Sequence, residues 1–417
     1  MRKFFAVLMI FAAPLIINAC AADLAEEAAD VLLVIESSAP GAAQEYGQSG
    51  AAQEHGYGAP QDICAQYICA QYICAIEEII AGMSLEQKVG QMFFVAFRRD
   101  SAGAGITAVN QGVADIINNY HVGGVILFSE NITGKQQVTD YINALQGLSY
   151  LPLFVSIDEE GGRVLRTGAL DVPRIAPALE IGGTGDPLNA YNAARTIAGY
   201  LKPLGFNVNF APVADVFTNP ENTVIGDRAF AREPYKAAAM VAYFTRGSLE
   251  HGIMPTVKHF PGHGDTREDS HFGSAVTYRT LEELIAGEFV PFQAGIDAGA
   301  PFVMTGHINT PNVTGDNIPA LFSSYLVQDI LRGMMGFDGI IITDALDMRA
   351  VTDYFTPAQA AVKAVLAGTD MLLMPADLSY AYAGLMQAVA DGVITEARIE
   401  QSVRRILAAK YSAGMIS

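Results

Sequence analysis

Cysteine does not occur after position 74 of this 417-residue chain. The four cysteines are Cys20, Cys64, Cys69 and Cys74, and the last three recur every five residues within an Ile-Cys-Ala-Gln-Tyr repeat. That spacing does not match the Cys-x-x-Cys pairs that are typical of zinc sites. The main body therefore uses no disulfide, thiol nucleophile or cysteine-bound metal. We interpret the repeat as sequence drift, with disulfide pairing or metal capture as the alternative.

Basic residues are also scarce. The chain has 25 Lys and Arg against 44 Asp and Glu, which gives a net charge of −19. So acidic a surface repels phosphate backbones, and we therefore expect no nucleic acid partner. Charged residues make up only 17% of the chain and hydrophobic residues 51%, which indicates a large core.

Only the start of the chain carries an extended apolar run. Arg2 and Lys3 precede the segment Phe4–Ala19, which is shorter than the ~20 residues of a membrane span and is typical of a signal peptide. The sequence Ile17–Cys20 resembles a bacterial lipoprotein signal, in which the cysteine is lipidated, and it also fits ordinary signal cleavage. We expect a signal peptide at 1–20, export to the bacterial cell envelope, and membrane attachment through a lipidated Cys20.

A low-complexity stretch follows at residues 21–75. Gly41–Gly47 nearly recurs as Gly50–Gly56, and such composition buries too little apolar surface to order itself. We interpret it as a tether between the envelope anchor and a folded body at residues 76–417. The body begins near Ser84–Gln87, which has the pattern of a helix capping box.

Short apolar runs then alternate with helical patterns. The runs are apolar on both faces, as buried parallel strands must be. The runs are Met92–Phe97, Gly124–Phe128, Leu153–Ile157, Val208–Val213, Met254–Lys258, Pro301–Thr305, Gly339–Thr343 and Asp370–Met374. The intervening and closing helices include Asn189–Leu204, Lys236–His251, Leu281–Ala298, Pro357–Ala367 and Glu396–Lys410. This alternation predicts a single α/β domain, a (β/α)₈ TIM-type barrel with no further domain, and a doubly wound sheet is the alternative.

Polar residues recur at the carboxyl ends of these runs, where barrel enzymes carry their chemistry. Asp344 directly follows the most apolar run, so its carboxylate is fixed, partly desolvated and suited to attack a sugar carbon. Asp269 and His271 are two residues apart, so in an extended loop they point the same way. The aspartate can then orient the imidazole and raise its pKa, which suits a proton shuttle.

Four cations, Lys258, Arg163, Arg166 and Arg228, are candidates for holding sugar hydroxyls or a negative group. The alternative for each of them is a salt bridge on the rim of the barrel. For Arg163 the sequence favours neither sugar binding nor a salt bridge over the other.

These residues together resemble glycoside hydrolase family 3, and specifically its single-domain β-N-acetylglucosaminidases. The likeness extends from about Ser84 to Lys410, and its most specific part is Lys258–Thr266 followed by Asp269–His271. The supporting blocks are Ile157–Val164, Phe210–Val216, Ile225–Phe230 and Thr343–Met348.

The resemblance implies a (β/α)₈ barrel and a retaining mechanism. It implies that Asp344 forms the glycosyl–enzyme intermediate, and that His271 paired with Asp269 is the acid/base. The Asp-Ser-His loop favours N-acetylglucosamine over glucose, and the resemblance further implies a role in cleaving muropeptide fragments of peptidoglycan. The positions that bind the sugar in this subfamily match Asp158, Arg166, Arg228, Lys258 and His259, with His263 and His307 as neighbours.

Alternatives to this interpretation differ in chemistry. A zinc hydrolase could use His259, His263, Asp265, Asp269, His271 and His307, although nothing in their spacing demands it. A β-N-acetylglucosaminide phosphorylase, a β-glucosidase on the same scaffold, or a non-catalytic envelope binding lipoprotein are the others. We expect a monomer that acts on a small carbohydrate or muropeptide with no cofactor and no metal.

Overall fold

The computed structural model describes residues 72–266 and 275–417. The chain divides into two units, Met1–Ile79 and Ile80–Ser417, and within the first unit the described residues, 72–79, are helical. The predicted signal peptide, Cys20 and most of the predicted tether lie outside the described residues, as do Asp269 and His271. Within the part of the chain that is described, none of the helices has the length and hydrophobicity needed to cross a membrane.

The second unit is built around eight parallel strands. They are hydrogen-bonded in the order β10-β1-β2-β3-β4-β5-β7-β9. The strands are β1 Phe93–Ala96, β2 Gly124–Leu127, β3 Phe154–Ile157, β4 Val208–Asn209, β5 Met254–Phe260, β7 Phe302–Thr305, β9 Ile340–Thr343 and β10 Leu372–Leu373. A parallel bridge between Ile342 and Met371 joins the two outermost strands, so the sheet closes on itself. This confirms the predicted TIM-type barrel, and the open doubly wound alternative is wrong.

Two further short strands lie outside the barrel. β6, Ala275–Val276, pairs in parallel with β8, Ile308–Asn309. β6 belongs to the connection after β5, and β8 follows β7 closely. The pairing therefore fastens the chain that leaves strand β5 to the chain that leaves strand β7, at the carboxyl end of the barrel.

Helices cover the outside of the barrel. They are α1 Leu85–Gln91, α2 Gln111–Tyr120, α3 Lys135–Leu148, α4 Ala178–Gly183, α5 Pro187–Leu204, α6 Pro234–Leu249, α7 Leu281–Ala286, α8 Phe289–Asp297, α9 Pro311–Thr314, α10 Arg349–Thr352, α11 Pro357–Ala367, α12 Leu378–Ala390 and α13 Glu396–Ser412, and Tyr325–Met334 forms a π-helical segment. Ser84 and Gln87 make the predicted capping box at the start of α1. The single helix predicted at Leu281–Ala298 is two helices, because Gly287 leaves the helical conformation.

The strand side chains are buried on both faces, as the apolar runs predicted. Inside the barrel, the rings of Phe154 and Phe302 meet edge-to-face at 5.2 Å, and those of Phe94 and Phe210 pack at 5.4 Å. Each buried aromatic side chain removes a large apolar area from water, and such pairs contribute about 0.5–1.5 kcal/mol beyond that burial. A filled interior leaves the carboxyl ends of the strands as the place where polar groups can gather.

Candidate active site

A cavity of about 280 Å³ lies at the carboxyl ends of the strands. Apolar side chains, among them Phe128, Phe210 and Met304, form part of its wall. The remaining wall includes the predicted residues Asp158, Arg166, Arg228, Lys258, His259 and Asp344, but not the candidate Arg163. Residues that are far apart in the sequence therefore converge on one pocket.

Lys258 is the buried cation of this pocket, with 3% of its side chain exposed. Its Nζ donates to Asp158 Oδ1 at 2.9 Å and lies 2.7 Å from Glu160 Oε1. Burial opposes the charged ammonium, but the two carboxylates outweigh it and raise the pKa of Lys258 above its usual value. The ammonium therefore stays charged and holds both carboxylates in place.

Glu160 is a second charged centre, and it was not among the predicted site residues. Arg228 donates to it through two nitrogens, Nε to Oε2 at 2.8 Å and Nη2 to Oε1 at 2.9 Å. Burial would raise the pKa of Glu160, but Arg228 and Lys258 hold it well below its usual range. Such paired hydrogen bonds fix the orientation of the guanidinium as well as its charge. The spacing of two residues from Asp158 was the sequence signal that could have identified Glu160.

Arg166 reaches the same carboxylate from the rim. Its Nη2 lies 3.4 Å from Asp158 Oδ2, and its guanidinium lies 5.4 Å from the centre of the Phe128 ring. Arg98 stacks on the same ring at 4.3 Å and also lines the cavity, although it was not predicted. The Nε of Arg166 is buried and has no hydrogen-bond partner among the described residues. This part of the pocket therefore contains donors that a ligand can use.

His259 is held by a buried aspartate. Its Nδ1 lies 2.7 Å from Asp215 Oδ2, and the backbone N–H groups of His259 and His263 donate to Asp215 Oδ1 at 3.3 and 2.7 Å. The other ring nitrogen of His259 points toward Arg228 Nη2, 3.5 Å away. Asp215 therefore fixes the imidazole of His259 at the wall of the cavity. Burial lowers the pKa of His263 to about 4, so its imidazole is neutral at neutral pH.

Asp344 stands at the end of β9. Its N–H donates to Thr305 O at 2.8 Å, and its Oδ1 accepts from Ala345 N at 2.7 Å. Its Oδ2 lies 3.6 Å from Nδ1 of His307. Burial would raise the pKa of this carboxyl, but His307, His259 and the Ala345 N–H hold it well below its usual range. The carboxylate is therefore ionised.

Arg163 does not line the cavity. Its Nε pairs with Asp227 Oδ1 at 2.7 Å, and its Nη2 donates to the backbone carbonyls of residues 223–225. It ties down the loop between β4 and α6, which carries Arg228. The structure therefore supports the salt-bridge interpretation of Arg163.

The metal alternative is tested only in part. Among residues 72–266 and 275–417, no group of three or more His, Cys, Asp or Glu side chains is arranged to hold a metal ion. His263 Nδ1 is bonded to Thr266 Oγ1 at 2.6 Å, and His259 Nδ1 is bonded to Asp215. Asp269 and His271, which that alternative also requires, lie outside the described residues.

Comparison with known proteins identifies the family. Residues 84–409 match the model described as the glycosyl hydrolase family 3 N terminal domain. The chain belongs to glycosyl hydrolase family 3. This confirms the resemblance that the sequence blocks indicated.

Individual family members are also similar. A protein named beta-hexosaminidase A from Pseudoalteromonas piscicida is 34% identical over 70% of this chain and 54% of its own length. Beta-hexosaminidase LpqI from Mycobacterium tuberculosis is 34% identical over 80% of this chain and 84% of its own length. A family 3 beta-N-acetylglucosaminidase from Paenibacillus superposes with a TM-score of 0.77 and 36% identity, over 80% of this chain and 63% of that one. The chain thus spans little more than half of the Pseudoalteromonas relative.

Proposed function

We propose that this chain is a retaining exo-β-N-acetylglucosaminidase that hydrolyses terminal β-linked N-acetylglucosamine. The observation that carries the proposal is the position of the Asp344 carboxylate. It lines the same small cavity as Asp158, Arg228, Lys258 and His259, and it is ionised there. A fixed carboxylate facing a pocket of hydroxyl-binding groups is what a retaining glycosidase needs for nucleophilic attack.

In the proposed mechanism the sugar lies with its hydroxyl groups against Asp158, Arg166 and Lys258. Asp344 attacks the anomeric carbon, and the bond to the leaving oxygen breaks as that oxygen receives a proton. The resulting glycosyl ester on Asp344 is then cleaved by water, which returns a proton and releases the sugar with its original configuration. Positive charge develops on the sugar ring in both transition states, so the ionised carboxylate stabilises them.

The proton donor and acceptor is proposed to be His271 oriented by Asp269. The segment that carries them connects Thr266 with Ala275. The described residues on either side of it are firmly held: Asn219 Nδ2 donates to Thr266 O at 3.2 Å, and Ala275 belongs to β6. His263, a little earlier in the chain, lines the cavity. The role of this pair rests on the Asp-Ser-His sequence and on the family resemblance.

The choice of N-acetylglucosamine rests on the Asp-Ser-His loop and on the names of the relatives, beta-hexosaminidase and beta-N-acetylglucosaminidase. We propose muropeptide fragments of peptidoglycan as the natural source of this sugar. We also propose that the protein is an exported monomer of the bacterial cell envelope, attached to the membrane if Cys20 is lipidated.

The test is release of chromophore from an aryl β-N-acetylglucosaminide, compared with the matching β-glucoside and with phosphate present or absent. We expect turnover of the first substrate only, independent of phosphate. Asp344→Ala should abolish it, and His271→Ala should reduce it by about 10²–10⁴-fold. Preference for the glucoside, or activity that survives Asp344→Ala, would refute the mechanism, and turnover that requires phosphate would identify a phosphorylase.

A further inference from the structure

The imidazole of His307 lies directly beside the proposed nucleophile. The residue is 0% exposed, and its Nδ1 is 3.6 Å from Asp344 Oδ2. Neither ring nitrogen has a hydrogen-bond partner among the described residues. A neutral imidazole has one N–H to donate and one nitrogen to accept, and the described part of the chain satisfies neither at ordinary hydrogen-bond length.

The backbone on either side of His307 is anchored. His307 follows β7, whose Thr305 pairs in register with Thr343, the residue before Asp344. Gly306 N donates to Phe260 O at 2.8 Å, and the next residues form β8, which pairs with β6. The segment is therefore fixed on both sides, and Asp344 is the acceptor that the imidazole faces.

A buried imidazole whose two nitrogens have no hydrogen-bond partner among the described residues requires an explanation. An apolar side chain of similar size would fill the space without burying two unpaired nitrogens, and it would cost less free energy. Packing alone therefore does not account for a histidine at this position. The position of its Nδ1 beside the Asp344 carboxylate does account for a histidine here.

We propose that His307 is a positioning residue for the nucleophile: it donates from Nδ1 to the Asp344 carboxylate, which it orients and keeps ionised for attack. The inference rests on the proposed function. The separation of 3.6 Å is a few tenths of an ångström beyond hydrogen-bond length, and catalytic hydrogen bonds are often long without substrate and tighten in the transition state.

Other groups also act on Asp344. His259 approaches from β5, the Ala345 N–H donates from its own loop, and Asp347 is the nearby carboxyl, itself faced by Arg98. Asp347 opposes ionisation of Asp344, whereas His259 and Ala345 support it. His307 lowers the pKa of Asp344 more than these other groups do. Its removal should therefore raise that pKa even though they remain.

The kinetic test compares His307→Leu, His307→Asn and His307→Gln. The Asn amide stands close to the position of Nδ1, whereas the Gln amide stands closer to that of Nε2. We expect His307→Leu to lower kcat about 10²-fold with little change in KM, His307→Asn to recover most of it, and His307→Gln to recover little. Recovery by His307→Asn but not by His307→Gln would not be expected of a residue needed only for packing.

Stability provides the second comparison. Because so long a hydrogen bond contributes little to stability, His307→Leu should change Tm little while kcat falls. The matched control is His251→Leu at the far end of α6, where Nδ1 lies 2.9 Å from Gly247 O, and it should leave kcat unchanged. Equal kcat in wild type and His307→Leu would overturn the inference, even though wild-type turnover then upholds the proposed function.

A spectroscopic readout works without turnover. The chain has seven histidines, so a ¹⁵N-histidine spectrum is simple, and loss of one signal set in His307→Asn assigns the residue. At a fixed neutral pH we expect the His307 Nδ1 resonance to shift in Asp344→Asn, because its acceptor has lost its charge. An unchanged resonance would refute the hydrogen bond, whatever substrate the enzyme uses.

Discussion

The two ends of the barrel use the same residue types in opposite ways. At the amino end, before β10, Asp370 is fully buried and accepts four donors: Arg332, Arg405 Nη1 at 3.3 Å, Ser402 Oγ at 2.7 Å and the N–H of Ile341 at 2.9 Å. Both of its oxygens are satisfied. The cluster closes this end of the barrel, and it offers a ligand nothing from Asp370.

At the carboxyl end the charges surround a cavity instead. Lys258 holds Asp158 and Glu160, but Arg166 Nε and both nitrogens of His307 have no partner among the described residues. Burial of charge therefore does not distinguish a structural cluster from a functional site. The adjoining cavity does, because it gives a substrate access to the charged groups.

Lys258→Met should have the largest effect on the charged groups at the carboxyl end of the barrel. Without the ammonium, the cationic partner that remains among the described residues is Arg166 for Asp158 and Arg228 for Glu160. We expect kcat/KM to fall by about 10²-fold or more because the sugar-binding groups move, and the unfolding free energy to fall by about 3–5 kcal/mol. Steady-state kinetics and urea unfolding measure the two effects. A variant with normal kcat/KM would show that Lys258 has no part in the site.

Asp370→Asn should disrupt the charged cluster at the amino end of the barrel and lower stability without changing activity. It leaves Arg332 and Arg405 buried without their shared carboxylate, so the unfolding free energy should fall by about 3–5 kcal/mol. The folded fraction should retain the wild-type kcat/KM, because the change lies at the opposite end from the cavity. Asp338→Asn nearby is exposed and should change stability by no more than about 0.5 kcal/mol. A large loss of kcat/KM in Asp370→Asn would remove the contrast between the two ends.

Arg228→Lys sharpens the comparison within the site. The lysine keeps the positive charge beside Glu160 but cannot make the paired hydrogen bonds of the guanidinium. Loss of one charged hydrogen bond, about 1.5–3 kcal/mol, should lower kcat/KM by about tenfold or more. The matched control is Arg195→Lys on the exposed face of α5, which should keep the wild-type value. Equal effects of the two changes would argue that the paired geometry does not matter.

The barrel could be predicted because its signal is local. Every predicted strand run overlaps an observed strand, since burial on both faces makes each run apolar over its length. Lengths were less certain: the fourth run was predicted as Val208–Val213, but its regular ladder covers only Val208–Asn209, with a separate bridge from Val213 to Lys258. The cis peptide bond at Ala211–Pro212 lies between the two, and the sequence pattern does not reveal it.

The charge pairing could not be predicted, because it joins residues that are distant in the chain. Asp158 and Lys258 are a hundred positions apart, and Glu160 with Arg228 are nearly seventy apart. Local patterns identified the individual acids and bases at strand ends but not which of them meet. Glu160 and the neighbour relation of His307 to Asp344 therefore emerged only from the fold. The roles of Asp269 and His271 stay predictions from the sequence.

Lys410 offers the smallest and most specific test of the amino end. Its side chain is fully buried in α13, with Nζ donating to Gln91 Oε1 at 2.6 Å and lying 5.1 Å from the Phe154 ring centre. No carboxylate is paired with it in the part of the chain that the structure describes. Burial lowers the pKa of Lys410 from 10.5 to about 7. Unlike Asp370, this charge is only partly satisfied.

The lowered pKa ties stability to pH with a defined sign. Between about pH 7 and pH 10 the unfolded chain keeps the Lys410 proton and the folded protein releases it, so the unfolding free energy rises with pH. Below about pH 7 both states are protonated, so the slope vanishes and the full cost of burying the charged ammonium remains. Lys410→Met should remove the slope, whereas Lys135→Met, at an exposed lysine, should keep it. At neutral pH Lys410→Met should raise the unfolding free energy only modestly, because Gln91 Oε1 then loses its hydrogen-bond donor. Urea unfolding across this pH range measures the slope, and an unchanged slope in Lys410→Met would assign it to other groups.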